Sequence, residues 1–290
     1  MQTKPKIALI YDFDKTLSPK DMQAYGYIDK LGVSEDKFWD KCEEFCKKNK
    51  ADNILGYMYV MVNEYKKHNI NLTRQTLVDC GKNIELYNGV KTWFKRIDEY
   101  GKSVGVNIEH YIVSSGIKEM IEGTEIAKYF KEIYAGYFVY NEHNQPVWPA
   151  IAINYTNKTQ YIYRINKGIL NVNDNRVNDH MDHDLRPIPM TNMIYIGDSA
   201  TDIPCMRLIM KSGGFAIGVY KEGEKSEQYL SGLINGNRIN FTAKTDYSKN
   251  SELEKIVKEI ILTIKHKDNL KQLTNKCKTK WYGQKFILMI

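Results

Sequence analysis

Four short apolar runs constrain the fold of this chain more than any other feature. Lys6–Tyr11 is almost wholly apolar and ends in acidic residues, and similar runs recur at Tyr111–Val113, Met193–Ile196 and Phe215–Val219. Runs of this kind, too short for a helix and without polar alternation, describe strands buried on both faces, as in a parallel sheet. Each run leads into Gly, Ser or Asp and then into a segment with helical character. Strands alternating with helices predict an α/β fold with a Rossmann-like parallel sheet, whose ligands sit beyond the carboxyl ends of the strands.

Two stretches interrupt the alternation. Between the first and second runs, Ser18 to Leu86 reads as an inserted helical unit. Residues 18–86 are therefore expected to form a helical cap domain, and 1–17 with 87–290 the core. Within the insertion Phe38, Cys42 and Phe45 recur at helical spacing behind Ser34, an N-cap followed by Glu35 and Asp36. Leu55, Met58, Val62 and Tyr65 form a second stripe, and such stripes face a core. Asn88-Gly89 signals a turn before a helix over Val90–Tyr100. The second interruption, Tyr137–Ile153, carries Asn141-Glu142-His143-Asn144 between β-rich flanks and predicts a hairpin. Asn171–Pro189 is a surface loop by composition, and Ser251–Lys267 has the pattern of an amphipathic helix. A basic tail follows at Lys276–Lys285 with Trp281 and Tyr282, and the chain ends in Phe286-Ile287-Leu288-Met289-Ile290.

Bulk properties narrow the function classes only a little. Lys and Arg exceed Asp and Glu by 42 to 35, a net charge of +7 that suits phosphorylated anions and ordinary soluble proteins alike. The five cysteines are odd in number and scattered, and Cys42 and Cys46 lack the second pair a zinc site needs. Reduced thiols are the expectation. No apolar stretch reaches the roughly 18 residues of a membrane span, and Met1-Gln2-Thr3-Lys4-Pro5 runs into the first strand without a signal-peptide pattern. A cytoplasmic protein without membrane or nucleic-acid partners is expected. Asp179-His180-Met181-Asp182-His183-Asp184 packs metal-ligand types together, yet adjacent side chains on a solvated loop point apart, so no metal site is expected there.

The chemistry concentrates at the strand ends. Asp12-Phe13-Asp14-Lys15-Thr16-Leu17 follows the first strand and sets two carboxylates side by side at the sheet edge. One can attack phosphorus while the other moves a proton. Ser114-Ser115-Gly116 ends a second strand and offers a hydroxyl and backbone N–H groups to an anionic oxygen, with Gly116 read as opening a helix. Gly197-Asp198-Ser199-Ala200-Thr201-Asp202 ends a third strand with two more carboxylates. A hard cation such as Mg²⁺ takes oxygen ligands, and Asp198 with Asp12 can supply them. Taken singly, each segment is also explained by helix capping.

Their order along one α/β chain resembles the haloacid dehalogenase superfamily of phosphohydrolases. Asp12 and Asp14 match its first motif, Ser114 its second, and Asp198 with Asp202 its fourth. The third motif, a lysine on a helix, is best matched by Lys158, with Lys167 as the alternative. The resemblance implies a small phosphorylated metabolite as substrate and a phosphorylated Asp12 as intermediate, with Asp14 as acid and base. It implies Mg²⁺ held by Asp12, the Asp14 carbonyl and Asp198, supported by Asp202. Ser114 and Lys158, with Thr16, Ser115 and Gly116 nearby, would hold the phosphoryl group. Asp14 favours phosphatases, since related ATPases carry Thr there and dehalogenases lack the second Asp. The helical insertion and hairpin are most similar to the phosphoserine-phosphatase-like branch. That branch usually has a Glu shortly after the first motif, whereas this chain has Ser18-Pro19-Lys20-Asp21-Met22-Gln23, so phosphoserine is not implied. The competing expectations are a phosphotransferase or mutase using the same phospho-aspartate, and a nucleic-acid-binding protein with an idle site.

Overall fold

The computed structural model describes residues 4–223 and 225–287, with side chains at 4–223 and 230–280. All four apolar runs fall within strands. The strands are β1 (Lys6–Tyr11), β2 (Asn107–Ile117), β3 (Phe130–Tyr140), β4 (Pro146–Ile151), β5 (Met193–Gly197), β6 (Phe215–Tyr220) and β7 (Phe241–Lys244). They form one sheet in the order β4-β3-β2-β1-β5-β6-β7. Neighbours pair in parallel except β3 with β4, which is the expected hairpin. Its turn is closed by Asn141, whose Oδ1 accepts from His143 N at 3.0 Å and Gln145 N at 2.9 Å. A side-chain amide here stands in for a backbone turn partner.

Four helices lie between β1 and the next main helix: α1 (Tyr27–Leu31), α2 (Glu35–Asn49), α3 (Asn53–Lys67) and α4 (Arg74–Gly81). Ser34 caps α2 by accepting from Lys37 N, and Asp52 caps α3 by accepting from Ile54 N and Leu55 N. Phe38 and Cys42 are buried as their spacing predicts, and so are Met58 and Tyr65. Leu55 departs from its stripe at 44% exposed, because it lies in the first turn of α3 beside the exposed cap. Tyr27 and Tyr65 stack at 4.8 Å and both hydroxyls are satisfied, on Met61 O and Tyr27 O respectively.

After the insertion come α5 (Val90–Val104), α6 (Lys118–Glu122), α7 (Lys158–Lys167), α8 (Ile203–Lys211), α9 (Lys225–Asn235) and α10 (Glu252–Ile287). Every residue from Ile7 to Tyr11 is fully buried, so β1 is packed on both faces. Ile7, Leu9 and Tyr11 join Trp93, Phe94 and Ile97 of α5 and Val257 and Ile261 of α10. Ala8 and Ile10 join Tyr161 and Ile165 of α7 and Met206 and Ile209 of α8 on the other side. Each such large side chain contributes about 1.5–3 kcal/mol by leaving water. The helix α4 also meets α6 backbone to backbone. A β-carbon on Gly81 would fall 1.9 Å from Met120 O, and one on Gly123 would fall 2.0 Å from Val78 O, so only glycine fits at either position.

One helix is longer than its pattern suggests. The segment expected to end near Lys267 continues helical to Ile287, since no Pro or Gly interrupts it before Gly283. Among the described side chains its later part carries no buried stripe, and Leu270 and Leu273 stand 64% and 56% exposed. The side chains of Trp281 and Tyr282 and the ending Leu288-Met289-Ile290 lie outside the described residues. Among the described residues no helix is long and apolar enough to cross a membrane. The polar stretch from Asn171 is held by Arg164, which donates to the carbonyls of Asn171, Val172 and Asp174 at 2.6, 2.8 and 3.1 Å. In its Asp/His-rich part, His180 pairs with Asp182 at 3.1 Å on the exposed surface.

Candidate active site

The strands β1 and β5 are neighbours at the centre of the sheet, but the chain leaves β1 toward β2 and continues on the far side through β5. Loops beyond their carboxyl ends diverge and open a crevice. Asp12 follows β1 and is tied across to β5 by its N–H, 3.0 Å from Ile196 O. The chain then turns sharply. Thr16, Leu17 and Ser18 all direct their N–H groups to Phe13 O, and Lys15 sits at φ +57°, in the left-handed region. Strain of that kind persists only where surrounding contacts fix it. Asp14 is held by Met22 N, which donates to its Oδ1 at 2.9 Å.

Lys158 opens α7 with its ammonium wholly buried, 3.1 Å from Asp12 Oδ2 and 2.8 Å from Asp202 Oδ1. Burial alone would favour its neutral form, but the Asp12 and Asp202 carboxylates outweigh that and raise its pKa. Asp202 is occupied on both oxygens. Oδ1 also accepts from Tyr195 Oη at 2.8 Å, and Oδ2 accepts from Ser199 N and Ser199 Oγ, both at 3.1 Å. Gly197 makes this possible, since a β-carbon there would fall 2.6 Å from Asp202 Cγ.

The carboxylates outnumber the cation. Burial, and next the charge of Asp202, raise the Asp12 pKa to about 6 against the opposing pull of Lys158. Burial raises Asp14 as well, aided by Asp21 and Asp12, and it raises Asp198, aided by Asp202 and Asp12. Oxygens of Asp12, Asp198 and Asp202 lie within 4.8 Å of one another. Hard oxygen donors short of positive charge are a set that Mg²⁺ fits. Asp198 spends Oδ1 on the hydroxyl of Thr16 at 2.9 Å, which leaves Oδ2 for such an ion.

The expected residues gather unevenly around a cavity of about 430 Å³. Asp12, Asp14, Ser114, Ser115 and Asp198 line it, and Lys158 lies directly behind Asp12. Thr16 does not line it, because its buried hydroxyl serves Asp198 instead of facing a phosphate. Asp202 is likewise buried behind the wall, where it holds Lys158. Gly116 does not open a helix. A pairing irregularity after Val113 lets β2 run on to Ile117, and α6 starts at Lys118. Gly116 N donates to Ser114 Oγ at 3.1 Å. Lys167, the alternative lysine, points elsewhere and donates to Val177 O and Asp179 O at 2.7 and 2.6 Å. Tyr195 and Ser199 support Asp202 without any sequence signal that marks them for it, although Tyr195 lies only two residues before Gly197. Gln23 and Tyr57 on the cavity wall carried no sequence signal.

The sequence pattern of the haloacid dehalogenase-like hydrolases matches residues 9–207. The chain belongs to this family of hydrolytic enzymes. Its fold is that of the phosphoserine-phosphatase-like phosphohydrolases within it. A probable phosphoserine phosphatase from Vibrio cholerae, in unliganded form, superimposes with TM-score 0.58 at 10% identity, covering 91% of this chain and 67% of that one. A substrate-bound phosphoserine phosphatase gives 0.54 at 16% identity, covering 89% and 99%. A phospho-aspartyl intermediate analogue of phosphoserine phosphatase gives 0.53 at 17%, covering 88% and 99%. An uncharacterized protein of Borreliella burgdorferi is 28% identical over 287 residues, which is 89% of this chain and 98% of that protein.

Proposed function

We propose that this enzyme hydrolyses a small phosphate monoester with Mg²⁺ through a phosphorylated Asp12. The observation that carries the reading is the contact of Lys158 with Asp12 at 3.1 Å, beside a cavity also lined by Asp14, Ser114 and Asp198. An Asp12 oxygen attacks phosphorus as the ester O–P bond breaks, and the leaving oxygen takes the proton of Asp14. Asp14 then takes a proton from a water whose oxygen attacks the same phosphorus, which releases phosphate and restores the Asp12 carboxylate. Lys158 and Ser114 hold the phosphoryl oxygens. Mg²⁺ held by Asp12, Asp198 and the Asp14 carbonyl would supply charge that offsets repulsion between phosphate and carboxylate. Residues 18–86 act as the cap on a core of 1–17 and 87–290, a division supported by Trp39, Cys42 and Tyr57 on the cavity wall. The free thiols, four of them buried, suit a cytoplasmic enzyme.

The purified protein is expected to release phosphate from p-nitrophenyl phosphate with Mg²⁺ and to stop on addition of EDTA. Asp12→Asn should abolish turnover with an unchanged circular dichroism spectrum. Persistent turnover in that variant removes Asp12 as nucleophile.

A further inference from the structure

Two buried polar groups at the cavity have no hydrogen-bond partner among the described residues. Gln23 is 2% exposed and its Oε1 accepts no hydrogen bond; Ser115 Oγ is likewise buried and unpaired. Both residues line the cavity. Buried groups of this kind cost about 1–3 kcal/mol when left unmatched, so native structures rarely keep them without a ligand or water.

Their position relative to Asp14 is informative. Gln23 follows Met22, whose N–H donates to Asp14 Oδ1 at 2.9 Å. Ser115 precedes Gly116, where a β-carbon would stand 3.2 Å from Asp14 Oδ2. Tyr57 of α3 fixes Ser115 by donating its hydroxyl to Ser115 O at 2.6 Å. The two unmatched groups share a cavity wall with the carboxyl that would protonate the leaving oxygen, so the alcohol half of a substrate held at Asp14 would lie in the same cavity.

The charges there are one-sided. Among the described residues lining the cavity, Lys15 is the one cation besides the buried Lys158 behind it, and Lys15 is paired with Asp21 at 3.0 Å. Glu43, also on the wall, is paired with Lys47 at 2.6 Å. A carboxylate on the leaving alcohol would meet acidic neighbours and no unpaired cation, which is costly in a desolvated site. An O–H or N–H on that alcohol would instead match Gln23 Oε1.

We infer that the leaving group is a non-anionic alcohol with an O–H or N–H donor, bound by Gln23 and Ser115, and that esters carrying a carboxylate are rejected. The inference rests on the phosphatase reading above and specifies its substrate class. Two matched pairs test it on the wild-type enzyme. Phosphoethanolamine differs from phosphoserine by the carboxylate, and glycerol 3-phosphate carries a hydroxymethyl group where 3-phosphoglycerate has its carboxylate; p-nitrophenyl phosphate is the control. The member without the carboxylate is expected to have kcat/KM higher by about tenfold or more in each pair, roughly the value of one hydrogen bond or more. A smaller or reversed ratio in either pair, with the control turned over, overturns the inference and leaves the phosphatase reading standing. No turnover of any ester overturns that reading and the inference with it. Gln23→Met should lower kcat/KM for the faster of the two carboxylate-free esters by about tenfold relative to the control. An unmoved ratio in a folded variant removes Gln23 from recognition, and if that variant does not fold, the wild-type pairs decide.

Discussion

Lys158→Met gives the most direct test of the charge arrangement behind the cavity. The substitution nearly preserves side-chain length but deletes an ammonium that lies 3.1 Å from Asp12 and 2.8 Å from Asp202, with no exposure to water. Removing one partner of a buried ion pair typically costs about 3–5 kcal/mol, because the other charge stays buried without compensation. At roughly 2 °C per kcal/mol for a chain of this size, melting should fall by about 6–10 °C at neutral pH. Asp202→Asn alone should also destabilise. The double variant should lose less than the sum of the two, by about 1–3 kcal/mol, since each substitution removes the reason the other is harmful. Differential scanning calorimetry on the four proteins reads the cycle, and hydrolysis of p-nitrophenyl phosphate follows activity in parallel. Additive losses, or a Lys158→Met protein that melts within about 1 °C of the parent, would refute the claim that these charges form one coupled unit.

Gly197→Ala should cut kcat by about tenfold or more with the fold retained by circular dichroism, because the added methyl lies 2.6 Å from Asp202 Cγ and displaces the anchor of Lys158. Glu254 supplies a pH test away from the cavity. Burial would raise its pKa, but Asn250 N–H, Arg96 and Lys258 more than offset this and hold it below the usual 4.5. A depressed folded-state pKa adds stability above the unfolded value that is lost as pH falls through the folded one. Glu254→Gln should therefore flatten the acid limb of the stability curve, and a limb of unchanged slope would count against the assignment.

How much of this was legible beforehand depends on the distance over which a residue acts. Buried strands announce themselves locally, and the ends of parallel strands share one edge, so Asp12, Ser114 and Asp198 could be grouped from order alone. The Asn141 turn was equally local. The partners of Thr16 and Asp202 lie far along the chain and escape local reading: Thr16 bonds Asp198 across 182 residues, and Asp202 bonds Lys158 across 44. Periodicity tells which face of an element is buried, not which donor a carboxylate will meet. The choice between Lys158 and Lys167 was of the same kind, since both stand on one helix and only the fold turns the first inward and the second to loop carbonyls. Strand β7, with four residues of which only Ala243 is buried, was too brief to show a pattern.

The glycine seam between α4 and α6 carries a consequence for how this enzyme can vary. Since α6 continues directly from the strand bearing Ser114 and Ser115, any wider residue at 81 or 123 would pry two backbones apart next to the strand end that lines the cavity. Surface drift over most of α4 is free of that penalty. At this one crossing the thickness of a methyl group connects the outer helices to the cavity, beside the Arg74–Glu122 ion pair that joins the same two helices.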